Sequence, residues 1–206
     1  MQQHKLSLWV GIALMYGIAT AFTAFNSRAK PQNARIAIVA DTAIVQRHIA
    51  DSLYRKADTC RQQERWEDAL RHLNWAIKLY DKEPLYFLDR GALYIQITLP
   101  EKAILDLMTA RKLDSTNATM SMKVYANLAV AENNLEHWDN AITYCNKTLA
   151  YNATWGFPYF IRSESYQHKG DTVKMCNDLT AALRYGIPQA RERILRYCAK
   201  EIQIKP

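Results

Sequence analysis

Among the residue types that can do chemistry, cysteine is the one whose spacing speaks first. Four are present, at Cys60, Cys145, Cys176 and Cys198. Cys176 and Cys198 lie symmetrically about position 187, inside the turn-forming run Gly186-Ile187-Pro188. In an antiparallel helical hairpin, residues equidistant from the turn lie opposite each other, so these two can bridge if both side chains face inward within reach. The bridge would close a loop of 22 residues and stabilise its end of the chain by about 3 kcal/mol in the chain-entropy model. Two reduced thiols packed in a core remain the other reading, since free cysteine is commonly buried. Cys60 and Cys145 are expected to be packing residues.

Other chemistry finds no footing. His4, His48, His72, His137 and His168 have no metal-ligand spacing with each other or with the cysteines. No glycine-rich phosphate loop, GxSxG elbow or HExxH is present, and nothing places two carboxylates in a shared apolar pocket for acid–base work. The expectation is a non-enzyme with no catalytic residues, metal, cofactor or small-molecule substrate. Three Asn-x-Thr sequons, at Asn117, Asn146 and Asn152, could accept glycans in a eukaryotic secretory route. The formal charge of +7 sits at the ends: Lys5, Arg28, Lys30 and Arg35 face no acid in residues 1–35, and five basic residues outnumber Glu192 and Glu201 in residues 189–206. The stretch between is neutral, so no clustered basic groove for a phosphate backbone exists, and nucleic acid is excluded as a partner.

What must position any functional group is a repeated pair of helices. Gly91, Ala103 and Ala110 set a beat that recurs as Ala57, Ala69, Ala76, as Ala129, Ala141, Thr148, and as Ser163, Met175, Ala182. Successive offsets are 34, 38 and 34 at all three markers, and a period in this range means stacked helical hairpins. Close helix crossing at roughly 8–10 Å needs small side chains, which Gly91 and Ala103 supply, with Tyr94 and Leu107 filling either side. The four-residue insertion falls among the polar residues 115–119. Pro84 and Pro100 stand at favourable first helical positions, and Gly170-Asp171 makes a turn.

This pattern resembles the tetratricopeptide repeat (TPR), with units at about 50–83, 84–117, 122–155 and 156–189. The match is fullest in the second unit, through Phe87, Gly91, Tyr94, Ala103, Leu107 and Ala110, and good in the first, through Leu53, Ala57, Ala69, Leu73 and Ala76. Units three and four depart at Glu132, Cys145 and Met175. The resemblance implies an all-α fold, a right-handed superhelical solenoid of four TPR-like hairpins over 41–189. A final helix from Gln189 to about Lys200 would cap the last apolar face, with its arginines on the outer side, leaving a capping helix and tail over 190–206.

By that resemblance, the first helix of each unit lines a concave, peptide-binding groove. Its residues here are Tyr54 and Asp58, then Leu85, Leu88, Ile95 and Gln96, then Lys123, Val130 and Asn134, then Phe157, Phe160, Glu164 and His168. Several are apolar on a surface expected to face solvent, which suggests an interaction patch; packing against a neighbouring unit or a helix at 41–49 stays open. The family's clamp for a terminal carboxylate does not carry over. Only Lys123 matches, and Tyr54, Asp58, Asp89 and Asn127 hold the other four positions.

Residues 6–25 carry no charge, and twenty helical residues span about 30 Å, a bilayer core. They are expected to be a transmembrane helix, or a signal peptide cleaved near Ala19-Thr20-Ala21, after a short flank at 1–5. Residues 26–40 read as a linker, with Asp41 or Thr42 capping a helix whose apolar face is Ile44, Val45, His48, Ile49 and Leu53. The ending from Cys176-Asn177-Asp178-Leu179 to Tyr197-Cys198 resembles TPR proteins of bacterial cell envelopes, which implies an oxidising compartment; the basic residues after the segment argue the opposite topology. The resulting expectation is a scaffold of the cell envelope, membrane-anchored or secreted, binding an apolar or extended segment of a protein partner in the groove. The alternative is a structural assembly subunit using its convex face or ends, with Trp66 and Trp138 as surface residues.

Overall fold

The computed structural model describes residues 31–198. The expectations for the 1–5 flank, the 6–25 membrane segment, the first part of the linker and the tail beyond 198 lie outside the described residues. Among those described there are nine helices and no strand: α1 Pro31–Gln62, α2 Trp66–Leu79, α3 Pro84–Gln96, α4 Pro100–Leu113, α5 Ala118–Asn134, α6 Trp138–Tyr151, α7 Gly156–His168, α8 Thr172–Arg184 and α9 Ala190–Tyr197. The chain divides into two compact units between His48 and Ile49.

The first unit corrects the expected linker. The described residues of helix α1 start at Pro31, so Asp41 and Thr42 lie inside the helix and do not cap it. Ile44 and Val45 are exposed, as is Ile49 at the start of the second unit, so the expected apolar face is not packed at those three positions; Leu53 does pack, against Ala50, Ala76 and Tyr86. No helix among the described residues is long and apolar enough to cross a membrane.

The second unit is an all-α helical repeat solenoid, built as consecutive hairpins with each helix packed on the next. The marker residues of the beat are all buried, from Ala57 and Ala69 through Gly91, Ala103 and Ala110 to Ser163, Met175 and Ala182. Gly91 shows why small residues are required: a Cβ there would stand 2.9 Å from Leu107 Cγ. Pro84 and Pro100 open α3 and α4, and the Asn117 side chain caps α5 by accepting from the Met120 N–H at 3.0 Å. Glu132, where the repeat usually has tyrosine, is buried with its carboxylate held by His137 Nδ1 at 2.8 Å and by the Asn140 amide at 3.2 Å.

Each of the four hairpins turns through a residue of positive φ: Glu64 at 57°, Thr98 at 59°, Glu136 at 61° and Gly170 at 73°. The following N–H returns to the carbonyl five residues back, from Arg65 to Cys60, Leu99 to Tyr94, His137 to Glu132 and Asp171 to Tyr166, at 2.8–2.9 Å. This is the Schellman closure of a helix end, and it satisfies carbonyls the helix would otherwise leave unpaired.

A second periodicity joins units in pairs. Arg90 donates to both oxygens of Asp106 at 2.6 and 2.8 Å and to Asn74 at 2.8 Å. Arg162 donates to both oxygens of Asp178, each at 2.7 Å, and to Asn146. Corresponding members of the two sets lie 72 residues apart. Arg90 also lies over the rings of Phe87 and Tyr94, as Arg162 lies over Tyr159 and Tyr166. Units one and two are therefore bound together by the same polar staple as units three and four.

Candidate functional site

The first helices of successive units lie side by side, α3 against α5 and α5 against α7, and the groove residues sort into three regions. At the amino-terminal end, Tyr54 donates its hydroxyl proton to Asp89 Oδ2 at 2.7 Å, and Arg61 donates to Asp58 at 2.6 Å while standing 3.9 Å from Asp89. Burial, then the adjacent Asp89 carboxylate, pushes the Tyr54 phenol well above its ordinary pKa. These groups satisfy one another. Lys123 is exposed, and Asn127 spends its amide on the Lys123 carbonyl one turn back, so the five clamp positions do not converge on a ligand.

The middle region is core. Leu88 is 3% exposed and belongs to a cluster with Phe87, Leu107 and Val124, against which Leu85 and Ile95 pack. Leu88 is thus a seam residue between units, placed there because a large side chain at this helix position meets the next hairpin before it meets solvent. Val130, Phe157 and Phe160 pack on the buried Ala129, Cys145 and Ile161. Gln96 and Asn134 are exposed. Burial pushes the Cys145 thiol up to about 12, which fits a packing role; Cys60 is buried too.

At the carboxy-terminal end the groove opens into a cavity of about 590 Å³. Helix α7 supplies Phe160, Glu164, Gln167 and His168, α5 supplies Asn133, and α6 supplies Trp138. Helix α9 supplies Glu192, Arg193, Arg196 and Tyr197, and Gln189 stands just before it. The Trp138 and His168 rings stack with centroids 4.1 Å apart and planes 3° from parallel. Arg193 donates to Glu164 at 2.9 Å and to Gln167 at 2.7 Å, and its guanidinium covers the Phe160 ring at 5.1 Å. Glu164 accepts from Asn133 through its other oxygen at 3.1 Å. Hydrogen bonds from Arg196 and Gln167 hold the Tyr197 phenol below its ordinary pKa. The result is an aromatic floor rimmed by donors and acceptors held in place by one another. Beneath it, Cys176 and Cys198 stand at disulfide distance, with sulfurs 2.02 Å and Cα atoms 5.7 Å apart. No group of three metal-ligating side chains is found among the described residues.

Of the residues expected to line the groove, the cavity gathers Phe160, Glu164 and His168. Gln167 and Asn133 were missed, although they occupy the twelfth position of their repeat units, which the repeat pattern assigns to the groove. Arg193 and Arg196 were placed on the outer face of α9 but line the cavity. Trp138, expected on the outer surface, stacks in the cavity, and Trp66 packs partly buried against Ala57, Cys60 and Leu73.

No protein-family model matches the sequence, and no curated protein sequence matches it. Solved structures do. A thermophilic TPR protein of Thermus thermophilus is 16% identical and aligns over 69% of this chain and 77% of its own, with a TM-score of 0.59. MamA is 22% identical over 66% of this chain and 82% of its own, with a TM-score of 0.55. The first TPR of Spaghetti, solved with an HSP90 peptide, is 15% identical over 60% of this chain and 95% of its own, with a TM-score of 0.56. The fold of this chain is that of the tetratricopeptide-repeat solenoids.

Proposed function

We propose that the chain is a non-enzymatic protein–protein interaction scaffold that holds an extended segment of a partner in the carboxy-terminal end of its groove. The observation that carries the proposal is the cavity between α5, α6, α7 and α9, which joins a stacked aromatic pair to pre-positioned amide and guanidinium groups. Such a mixture suits a peptide, whose side chains want apolar contact while its backbone wants hydrogen bonds. The solved TPR of Spaghetti with its peptide supports the mode, since the same fold carries a peptide there. It does not support the same ligand class, because Asp58 and Asp89 stand at two of the positions where a carboxylate clamp needs cationic or amide groups. The residue 6–25 segment and the Cys176–Cys198 pair favour a site of action in the cell envelope.

The test is photocrosslinking in the native cell, with a benzophenone amino acid at His168 in one variant and at Leu105 in another. Adducts from position 168 that vanish when Arg193→Glu is added support groove docking. Adducts from 105 alone reject it. They would favour assembly through the second helices, where Leu105 is 70% exposed and Trp75 and Met108 are each 50% exposed.

A further inference from the structure

The cavity owes four of its lining residues to α9, and α9 is poorly equipped to stay in place unaided. It has eight residues and no side-chain cap at its start, and isolated helices shorter than about 12 residues are marginal in water. Only Ala190 within it is fully buried; Ile194 is partly buried against the cluster of Met175, Leu179 and Ala182, and Leu195 is 71% exposed. Its polar ties to the body are those of Arg193 to Glu164 and Gln167 and of Tyr197 to Gln167. The strongest tie is covalent: Cys198, immediately after the helix, meets Cys176 on α8.

We propose that oxidation of Cys176 and Cys198 is the step that completes the binding cavity, so that the groove is assembled in the disulfide form and open in the dithiol form. The inference rests on reading the cavity as the docking site. In the step, the two thiols pass two electrons and two protons to the disulfide form of a dithiol oxidoreductase. The Sγ–Sγ bond forms here and the oxidant leaves as its dithiol. Before the step, α9 frays, Arg193 leaves Phe160 and Glu164, and the α7 side of the groove faces solvent. After it, α9 closes the cavity over the Trp138–His168 pair.

The experiment compares amide hydrogen exchange in the oxidised full chain, the same chain kept in dithiothreitol, and the Cys176→Ser/Cys198→Ser chain. The expected result is a loss of protection on the order of a hundredfold at Ile194–Cys198 in the last two, with α5 and α6 unchanged. Equal protection at 194–198 in all three overturns the proposal, as does a loss shared evenly across α5–α8, because the bond would then hold the stack and not the helix. The readout does not depend on a partner: absent crosslinks at position 168 would reject the docking site while leaving the exchange result intact.

Discussion

Replacing Arg162 with leucine puts the paired-unit staple to its hardest test. The guanidinium meets both oxygens of Asp178 at 2.7 Å, with the two side chains 17% and 7% exposed. Removing one partner of a buried pair leaves an uncompensated charge, which costs about 3–5 kcal/mol, whereas replacing both with apolar groups is often neutral. Arg162→Leu is therefore expected to lose about 3–5 kcal/mol, and Arg162→Leu/Asp178→Leu to recover most of it. The acid dependence follows from burial, which raises the Asp178 pKa above its ordinary value while the guanidinium opposes the rise; without Arg162 it rises further. A carboxyl whose folded pKa lies above its unfolded one is favoured when protonated, so the stability it allows is greatest at low pH and is lost as pH rises through the folded value. The deficit of Arg162→Leu should accordingly be smaller near pH 5 than near pH 7.5. Urea denaturation followed by circular dichroism at both pH values measures it, and amide exchange localises it, since a repeat stack need not unfold in one step. The reasoning fails if the single variant costs less than about 1 kcal/mol, if the double variant is no better than the single, or if the deficit grows on acidification.

The remaining expectations concern packing and turns. Gly156→Ala should cost about 1–3 kcal/mol, because its Cβ would stand 2.7 Å from the Tyr185 carbonyl oxygen. Gly91→Ala should be milder, since its nearest neighbour is the Leu107 side chain and alanine gains about 1 kcal/mol in helix propensity; paired thermal melts rank the two. Thr98→Gly should raise stability by about 0.5–1 kcal/mol, because a β-branched residue at φ 59° is strained where glycine is not, and a lower melting temperature would contradict this. Alkylation should label no cysteine in the native chain, two after denaturation and four after denaturation with reductant, as Cys60 and Cys145 are buried and the other two are at bonding distance; intact mass counts them. Leu88→Asp should unfold the second unit rather than merely empty the groove, given its 3% exposure, and a folded variant by circular dichroism would refute that.

Small residues made the repeat legible in the chain alone, because Ala57, Gly91, Ala129 and Ser163 answer to one steric demand, close helix approach. Pro84 and Pro100 announced their helices for an equally local reason. Glycine marks a hairpin turn only at Gly170: Glu64, Thr98 and Glu136 adopt the same left-handed backbone without it, since the Schellman hydrogen bonds hold the conformation. Residues 31–40 were read as a linker from Pro31 and its polar neighbours, yet they are helical. For the groove, helical position alone located Phe160, Glu164 and His168 but misjudged Leu88, because whether a large residue on that face meets solvent or the next hairpin depends on packing. The inward turn of Arg193 depends on Glu164, distant in sequence and brought near only by the α8–α9 hairpin.

The 72-residue spacing of the two staples makes this one joint transferable between the halves of the stack. Excising residues 84–155 would set Asn74 where Asn146 now meets Arg162, and the same guanidinium, its Asp178 and the closing helix beyond would follow unaltered. A miniature with one pair of hairpins would keep the arginine staple at its joint but lose the Tyr54–Asp89 hydrogen bond, because Ile161 stands 72 residues beyond Asp89. Length is thus a quantity that gene duplication could adjust here in whole pairs with the staple kept intact, while the tyrosine–aspartate contact at the amino-terminal joint would have to be made anew.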